Sequence, residues 1–104
     1  MKVVFVSNYF NHHQSAFAEA MNRETNGNFV FIQTIPMDKE RKNMGWNIDN
    51  FPPYVKKIYE SDMARKECEE LILSADVTII GSAPNSLIIE RIKQHKLVFR
   101  YSER

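Results

Sequence analysis

The sequence is poor in cysteine and glycine, and both shortages restrict the chemistry that it can perform. It contains one cysteine, Cys68, so an intramolecular disulfide is impossible and a reducing cytoplasm is the expected compartment. It contains three glycines, none of them in the loop after the first apolar run, so the glycine-rich dinucleotide and triphosphate fingerprints are absent. A G-x-S-x-G elbow and Cys/His clusters with metal-ligand spacing are also missing, and we expect neither a metal nor a cofactor.

Charge of one sign and long apolar runs are missing as well. The 14 basic and 13 acidic side chains leave a net charge of +1, which gives no global attraction to nucleic acid or to an anionic membrane. The first apolar run covers residues 3–6 and is too short for a signal peptide, and no run has the length of a membrane span. These absences predict a soluble chain, and together with the single cysteine they predict a cytoplasmic one. A hydrophobic content of 43% over 104 residues is enough for one core, so we predict a single domain over residues 1–104.

Short apolar runs alternate with segments of helical period. The runs at residues 3–6, 29–32, 55–59, 76–81 and 97–101 predict strands, and helices are predicted after Asn11, after Ser61 and from Pro84. Right-handed connections between these elements give a parallel sheet of about five strands with helices on both faces. We therefore predict an α/β fold, a Rossmann-like three-layer sandwich with the strand order 3-2-1-4-5.

Local signals place the helix boundaries and their inward faces. Asn11 and Gln14 form a predicted capping pair, Gly27 a helix stop, and Ser61 an N-cap. Residues predicted to face the sheet are Phe17, Ala20, Met21, Ala64, Cys68, Leu71, Ile72, Ala75, Leu87, Ile88, Ile89 and Ile92. Cys68 lies in such a stripe and is interpreted as a small core residue rather than a nucleophile.

Residues 38–42 are compatible with one or two exposed helical turns that end at Gly45, and residues 46–54, with Trp46 and Phe51, form a connection with no regular period. Such a connection is either functional or a cover over apolar surface. We favour the second interpretation, in which the aromatic residues replace a crossover helix. Lys56 and Lys57, in the strand that follows, are typical of the edge of a sheet.

Polar residues and one glycine follow three strands whose carboxyl ends are predicted to converge. They are Asn8, Asn11, His12 and His13 after the first strand, Gly81 and Ser82 after the fourth, and Glu103 and Arg104 after the fifth. Hydroxyl, amide and charged groups beside helix N-termini suit a hydroxyl-rich ligand, a sugar or a phosphate. Simpler roles remain open: His13 as a packed core residue, His12 as a solvated one, and Ser82 as a helix cap. An exposed ion pair between Glu103 and Arg104 is a further alternative.

The same segments resemble a known family. Residues 3–14, with the sequence VVFVSNYFNHHQ, look like the opening of bacterial glycosyltransferases of the two-Rossmann-domain (GT-B) type, in the group linked to capsular and surface polysaccharide synthesis. The resemblance continues through residues 36–37, 40–42, 44–46, 75–77, 81–84 and 98–104. It covers nearly the whole chain, but only the front part of such an enzyme.

The resemblance implies an N-terminal domain that shapes the acceptor side of a cleft, while an absent C-terminal domain binds the nucleotide-sugar donor. It implies transfer of a sugar to a hydroxyl acceptor, with the 104-residue fragment inactive alone. Under this interpretation His12 and Glu103 are the catalytic candidates, Glu103 as a general base. The substrate-binding candidates are Asn8, Asn11, His13, Gly81, Ser82 and Arg104.

Two other interpretations remain. A sugar-nucleotide epimerase shares the two-domain architecture, and a stand-alone binding module would have no chemistry at all. Both enzymatic interpretations expect a native chain that continues past Arg104. We also expect the fragment to self-associate, because Leu97, Val98 and Phe99 are predicted to leave an apolar, unpaired edge.

Overall fold

Five parallel strands form one sheet with helices on both of its faces. The computed structural model describes residues 1–8, 12–35 and 53–101, the side chains of residues 12–14 excepted. The strands are β1 (Val3–Ser7), β2 (Phe29–Gln33), β3 (Val55–Lys57), β4 (Val77–Ile80) and β5 (Val98–Arg100), in the order β3-β2-β1-β4-β5. The helices are α1 (His12–Glu24), α2 (Asp62–Ser74) and α3 (Ile89–Lys93), the last preceded by a 3-10 turn (Asn85–Leu87). The predicted α/β class, Rossmann-like architecture and strand order are confirmed.

The two faces of the sheet bury different side chains, because successive residues of a strand point to opposite sides. The aromatic face, under α1, buries Val3, Phe5, Ala18, Phe29, Phe31 and Tyr54. The aliphatic face, under α2 and α3, buries Val4, Val6, Val30, Ile32, Ile58, Cys68, Ile72, Ala75, Ile80 and Ile88. Every residue of β1 and β2 is buried, as the continuous apolar runs predict for central parallel strands.

The end of α1 and the start of α2 follow the predicted local signals. Gly27 adopts a left-handed φ of +87° after α1 and donates its N–H to the carbonyl oxygen of Asn22 at 2.8 Å. Ser61 caps α2, since its side chain accepts a hydrogen bond from the N–H of Ala64 at 3.0 Å. Asn11, the predicted cap of α1, lies outside the described residues, as do residues 36–52 with Trp46 and Phe51.

The third helix differs from the prediction. Pro84 does not begin it but precedes the 3-10 turn, and α3 itself has five residues. Ile88 is buried as predicted, but Ile89 and Ile92 are 44% and 58% exposed. The reason is Arg91, which lies three residues after Ile88 on the same side of the helix and occupies the inward position.

Arg91 is a buried cation, 1% exposed. Its guanidinium donates to the carbonyl oxygens of Ile72 at 3.0 Å, Ala75 at 2.6 Å and Leu97 at 2.6 Å. Further contacts reach the carbonyl oxygens of Leu73 and Asp76. Burial lowers the pKa of Arg91, and the charge of Asp76 opposes that shift. Since the last carbonyls of a helix lack partners within it, this one side chain joins the end of α2 to the starts of β4 and β5.

The β3 edge of the sheet is short and charged. Because β3 is the first strand in the spatial order, the edge position predicted for Lys56 and Lys57 is confirmed. Lys56 also forms an ion pair with Glu67 of α2 at 2.6 Å. Across the described part of the chain, none of the helices is both long enough and apolar enough to pass through a bilayer.

Candidate functional site at the carboxyl ends of β1 and β4

Strands β1 and β4 lie side by side at the point where the order of the sheet reverses. From β1 the chain proceeds to β2 and β3 on one side, and β4 and β5 occupy the other side. In open parallel sheets the loops diverge at this point and leave a crevice beyond the carboxyl ends of the strands. Ser7, Asn8, Gly81 and Ser82 lie there, and we call these four residues the switch-point cluster.

Gly81 lets the ends of β1 and β4 approach closely. Its N–H donates to the carbonyl oxygen of Val6 at 2.7 Å. A Cβ atom at position 81 would lie 3.0 Å from the Oγ atom of Ser7, closer than an ordinary van der Waals contact. Any side chain at position 81 would therefore crowd Ser7, and glycine allows the ends of the two strands to pack at this distance.

Ser7 and Asn8 continue the cluster on the β1 side. Ser7 is 1% exposed, and its hydroxyl donates to the Oδ1 atom of Asn8 at 3.3 Å. The backbone carbonyls of both residues accept from the strand next to them, Ser7 from the N–H of Thr34 at 2.9 Å and Asn8 from that of Ile35 at 3.2 Å. The loop after β1 is thus fastened to the end of β2, which holds Asn8 in position beside Gly81.

A second polar group at this edge was not predicted from the sequence. Gln33, 1% exposed, ends β2, and its Nε2 atom donates to the hydroxyl of Tyr59 at 2.8 Å and to the carbonyl of Ile35 at 3.1 Å. Burial raises the pKa of Tyr59, so its hydroxyl keeps its proton at neutral pH and can donate it to an acceptor. Nearby in the chain, the hydroxyl oxygen of Thr34 is shielded from solvent and has no hydrogen-bond partner among the described residues.

Ser82 is exposed, but no helix begins beside it. The 3-10 turn starts at Asn85, and no side chain caps it. The simpler role of Ser82 as a helix cap is therefore wrong, and so is the expectation of a free helix N-terminus next to it. The Ser82 hydroxyl itself remains available at the rim of the cleft.

His12 and His13 are the first two residues of α1, so their backbone lies in its first turn as predicted. Their side chains are outside the described part of the structure, and so are Asn11, Glu103 and Arg104. Tyr101, the last described residue, packs its ring on Phe5 at 5.5 Å and on Phe17 at 5.8 Å between centroids. The end of β5 therefore lies against α1 and β1.

Metal and thiol chemistry find no support among the described residues. No three His, Cys, Asp or Glu side chains there are grouped so that they could hold a metal ion. Cys68 is 1% exposed in the aliphatic core, and burial raises its thiol pKa to about 11. A thiol with that pKa is protonated at neutral pH, which supports the interpretation of Cys68 as a core residue.

The described site thus combines hydroxyl and amide groups around a glycine, on a rigid sheet edge. Such groups hydrogen-bond to neutral, hydroxyl-rich molecules. Comparison with known proteins adds no identity to this description: no protein family, curated protein or solved structure matches the chain.

Proposed function

We propose that this chain is the acceptor-side Rossmann-like domain of a GT-B type glycosyltransferase, which moves a sugar from a nucleotide-sugar donor to a hydroxyl acceptor. The observation that carries the proposal is the switch-point cluster, where the absence of a side chain at Gly81 accommodates Ser7 and brings the polar ends of β1 and β4 together. The confirmed α/β fold is the one that the sequence resemblance implies, and the cleft lies where such sheets bind ligands. In this proposal a second α/β domain binds the donor.

The proposal gives different roles to three groups of residues at the site. Asn8 and Ser82 bind acceptor hydroxyls, and Gly81 provides the space that they need. His12 and Glu103 act at the reacting hydroxyl, with Glu103 as the general base. Asn11, His13 and Arg104 make further contacts, either to the acceptor or to the phosphates of the donor. Copies of the isolated chain also self-associate through the apolar residues of β5, which sedimentation at several concentrations would test.

Ligand binding to the isotope-labelled 104-residue chain tests the acceptor role. Cellobiose and chitobiose serve as hydroxyl-rich probes and UDP-glucose as a donor probe, followed by amide chemical shifts. We expect shifts from the disaccharides at residues 8, 81 and 82, and at most weak binding of UDP-glucose. Tight, stoichiometric binding of UDP-glucose would instead favour the stand-alone binding module.

Two alanine variants make this test specific to the cleft. Gly81→Ala places a methyl group against Ser7 and should abolish the disaccharide shifts, and Ser82→Ala should weaken them. Ser86→Ala is the matched control, since Ser86 is another exposed serine, within the 3-10 turn. Equal loss of binding in the Ser82 and Ser86 variants would show that the cleft is not the binding site.

The reading frame around the chain separates the proposal from its rivals. A second α/β half encoded beyond codon 104 is required by the glycosyltransferase and by the epimerase, and a stop codon there would contradict both.

In the two-domain enzyme, His12→Ala should lower the rate of sugar transfer by roughly a hundredfold or more, as expected for a positioned proton-transfer group. His13→Ala should mainly lower the melting temperature. Normal turnover of the His12 variant with both substrates saturating would refute its catalytic role.

A further inference from the structure

A groove with a volume of about 370 Å³ lies between α2 on one side and the 3-10 turn and α3 on the other. Its α2 wall includes Arg65, Glu69 and Leu73, which are four residues apart and therefore lie in one line along the helix. All of its lining residues fall within residues 65–91, which the structure describes throughout. We call this feature the α2–α3 groove, and its volume is in the range of small-molecule sites, roughly 300–1,000 Å³.

The deeper part of the α2–α3 groove is apolar. Ile72 is 1% exposed there, whereas Leu73 and Leu87 are half-buried and keep part of their side-chain surface accessible. Leu87 also packs on the aliphatic core, so this wall of the groove is held in place by the sheet. A ligand with an apolar body would gain free energy by covering the two leucines.

Carboxylates outnumber the available cations along the groove. Glu69, Glu70 and Glu90 line it, and all three are exposed. Of the two arginines that line it, Arg91 is 1% exposed and already donates to backbone carbonyl oxygens, so only Arg65 can balance the carboxylates at the surface. The accessible part of the groove therefore carries an excess of negative charge.

These carboxylates are not held by close cationic partners. Glu69 lies 3.6 Å from Arg65 and Glu90 lies 3.8 Å from Lys93, whereas a charge-assisted hydrogen bond is about 2.7–2.9 Å long. The carboxylate of Glu70 forms no ion pair with any residue that the structure describes. An incoming ammonium group would thus find acceptor oxygens at the groove, and Glu70 is the most accessible to it.

We propose that the α2–α3 groove binds a small organic cation, a primary amine carried on an aromatic or aliphatic body. The body covers Leu73 and Leu87, and the ammonium group donates to Glu70. Glu69 and Glu90 add attraction for the cation and disfavour any anionic ligand. The inference is independent of the proposed glycosyltransferase function, because the groove lies between helices and not at the carboxyl ends of β1 and β4.

Three indole compounds test the proposal, since they share the ring and differ in the charge of the side chain. They are tryptamine, which is a cation, tryptophol, which is neutral, and indole-3-propionate, which is an anion. Amide chemical shifts of the isotope-labelled 104-residue chain report binding. We expect tryptamine to shift residues 69–73 and 86–91 and to bind about fivefold more tightly than tryptophol, with indole-3-propionate the weakest. The preference should shrink as salt rises, because exposed charges are screened. Equal affinities for tryptamine and tryptophol, or shifts only elsewhere in the chain, would overturn the proposal.

Substitutions at Glu70 separate the charge of the groove from its shape. Glu70→Gln should lower the affinity for tryptamine and leave that for tryptophol unchanged, and Glu70→Lys should make indole-3-propionate the better ligand. Glu24→Lys is the matched control, because Glu24 is an exposed glutamate at the end of α1, on the other face of the sheet. An unchanged preference in Glu70→Lys would refute the site. Equal changes in the two lysine variants would also refute it, since net charge alone would then explain the binding.

Discussion

The two faces of the sheet are closed by different means. On the aromatic face, Phe5 stacks on Phe31 with 5.2 Å between ring centroids and meets Phe17 edge-on at 5.6 Å. On the aliphatic face, branched side chains pack around a buried guanidinium, that of Arg91. One face therefore depends on ring packing and the other combines packing with a polar anchor.

The difference follows from what each face must satisfy. On the aromatic face α1 ends at a glycine turn, which provides hydrogen bonds for the last carbonyls of the helix. On the aliphatic face α3 packs against α2, and the carbonyl oxygens of Ile72 and Ala75 lie in buried hydrogen bonds. Arg91 supplies the missing donors, together with the hydroxyl of Thr78, which donates to the carbonyl of Ile72 at 3.0 Å.

Replacing Arg91 should have the largest effect on stability. Arg91→Met keeps the length of the side chain but removes the guanidinium donor from the Ala75 carbonyl, and it leaves the carbonyls of Ile72 and Leu97 with Thr78 as their donor. We expect a loss of about 3–5 kcal/mol in the free energy of unfolding, measured by urea denaturation. Arg91→Lys should recover part of the loss, because an ammonium group cannot span all of these oxygens.

Arg65→Met is the control for the Arg91 variant. Arg65 is exposed and its contact with Glu69 is long, at 3.6 Å, so its removal should change stability by less than about 0.5 kcal/mol. Equal effects of the two substitutions would mean that the buried guanidinium does not anchor the aliphatic face.

A smaller loss is expected from the aromatic face. Phe5→Leu retains most of the buried area but removes the ring contacts with Phe31, Phe17 and Tyr101. The free energy of unfolding should fall by about 1.5 kcal/mol. Val4→Leu changes the neighbouring residue on the opposite face and should leave the near-ultraviolet dichroism of the rings intact, whereas Phe5→Leu should reduce it. An unchanged aromatic signal in Phe5→Leu would contradict the proposed ring cluster.

Much of the fold could be predicted from local patterns. The apolar runs of β1 and β2, the serine cap at Ser61 and the stop at Gly27 all act through short-range physics, so the sequence carries their signal directly. Arg91 could not be predicted, since a charged residue among isoleucines reads as the outer face of a helix. Its burial depends on the carbonyls of Ile72, Ala75 and Leu97, which are brought together by the tertiary structure.

The candidate site likewise has one part that could be predicted from the sequence and one part that could not. Topology alone brings Asn8 and Gly81 together, because the carboxyl ends of neighbouring parallel strands meet at one edge. The contact between Gln33 and Tyr59 was missed because the two residues are 26 positions apart and neither belongs to a motif. The only hint was an amide at the end of an apolar run, which also fits a strand that simply stops.

Thr78→Val sharpens the account of the aliphatic face. Valine has nearly the same shape as threonine but cannot donate to the Ile72 carbonyl, so the free energy of unfolding should fall by about 1 kcal/mol. Because Arg91 shares that acceptor, the effect should depend on the residue at position 91. Thermal or urea unfolding of the two single variants and the double variant gives the coupling, and strict additivity would show that the two donors act independently.

Cys68 offers the smallest and most selective test of how tightly the aliphatic face is closed. Burial raises the pKa of its thiol to about 11, above the value of about 8.5 in an unfolded chain. The folded state therefore binds the proton more tightly, so this contribution is fully present below about pH 8.5 and is lost as the pH rises through 11. By pH 9 the free energy of unfolding should have fallen by about 0.8 kcal/mol from its value at pH 7 through this thiol. Urea unfolding at pH 7, 9 and 10 with reductant present should show that the free energy of unfolding declines more steeply with pH for the wild type than for Cys68→Ala.

Tyr54, whose pKa burial also raises, contributes equally to both proteins, so the difference between their pH profiles isolates the thiol. Identical declines would mean that water reaches Cys68, and that the packing of α2 on the sheet is looser than its burial indicates.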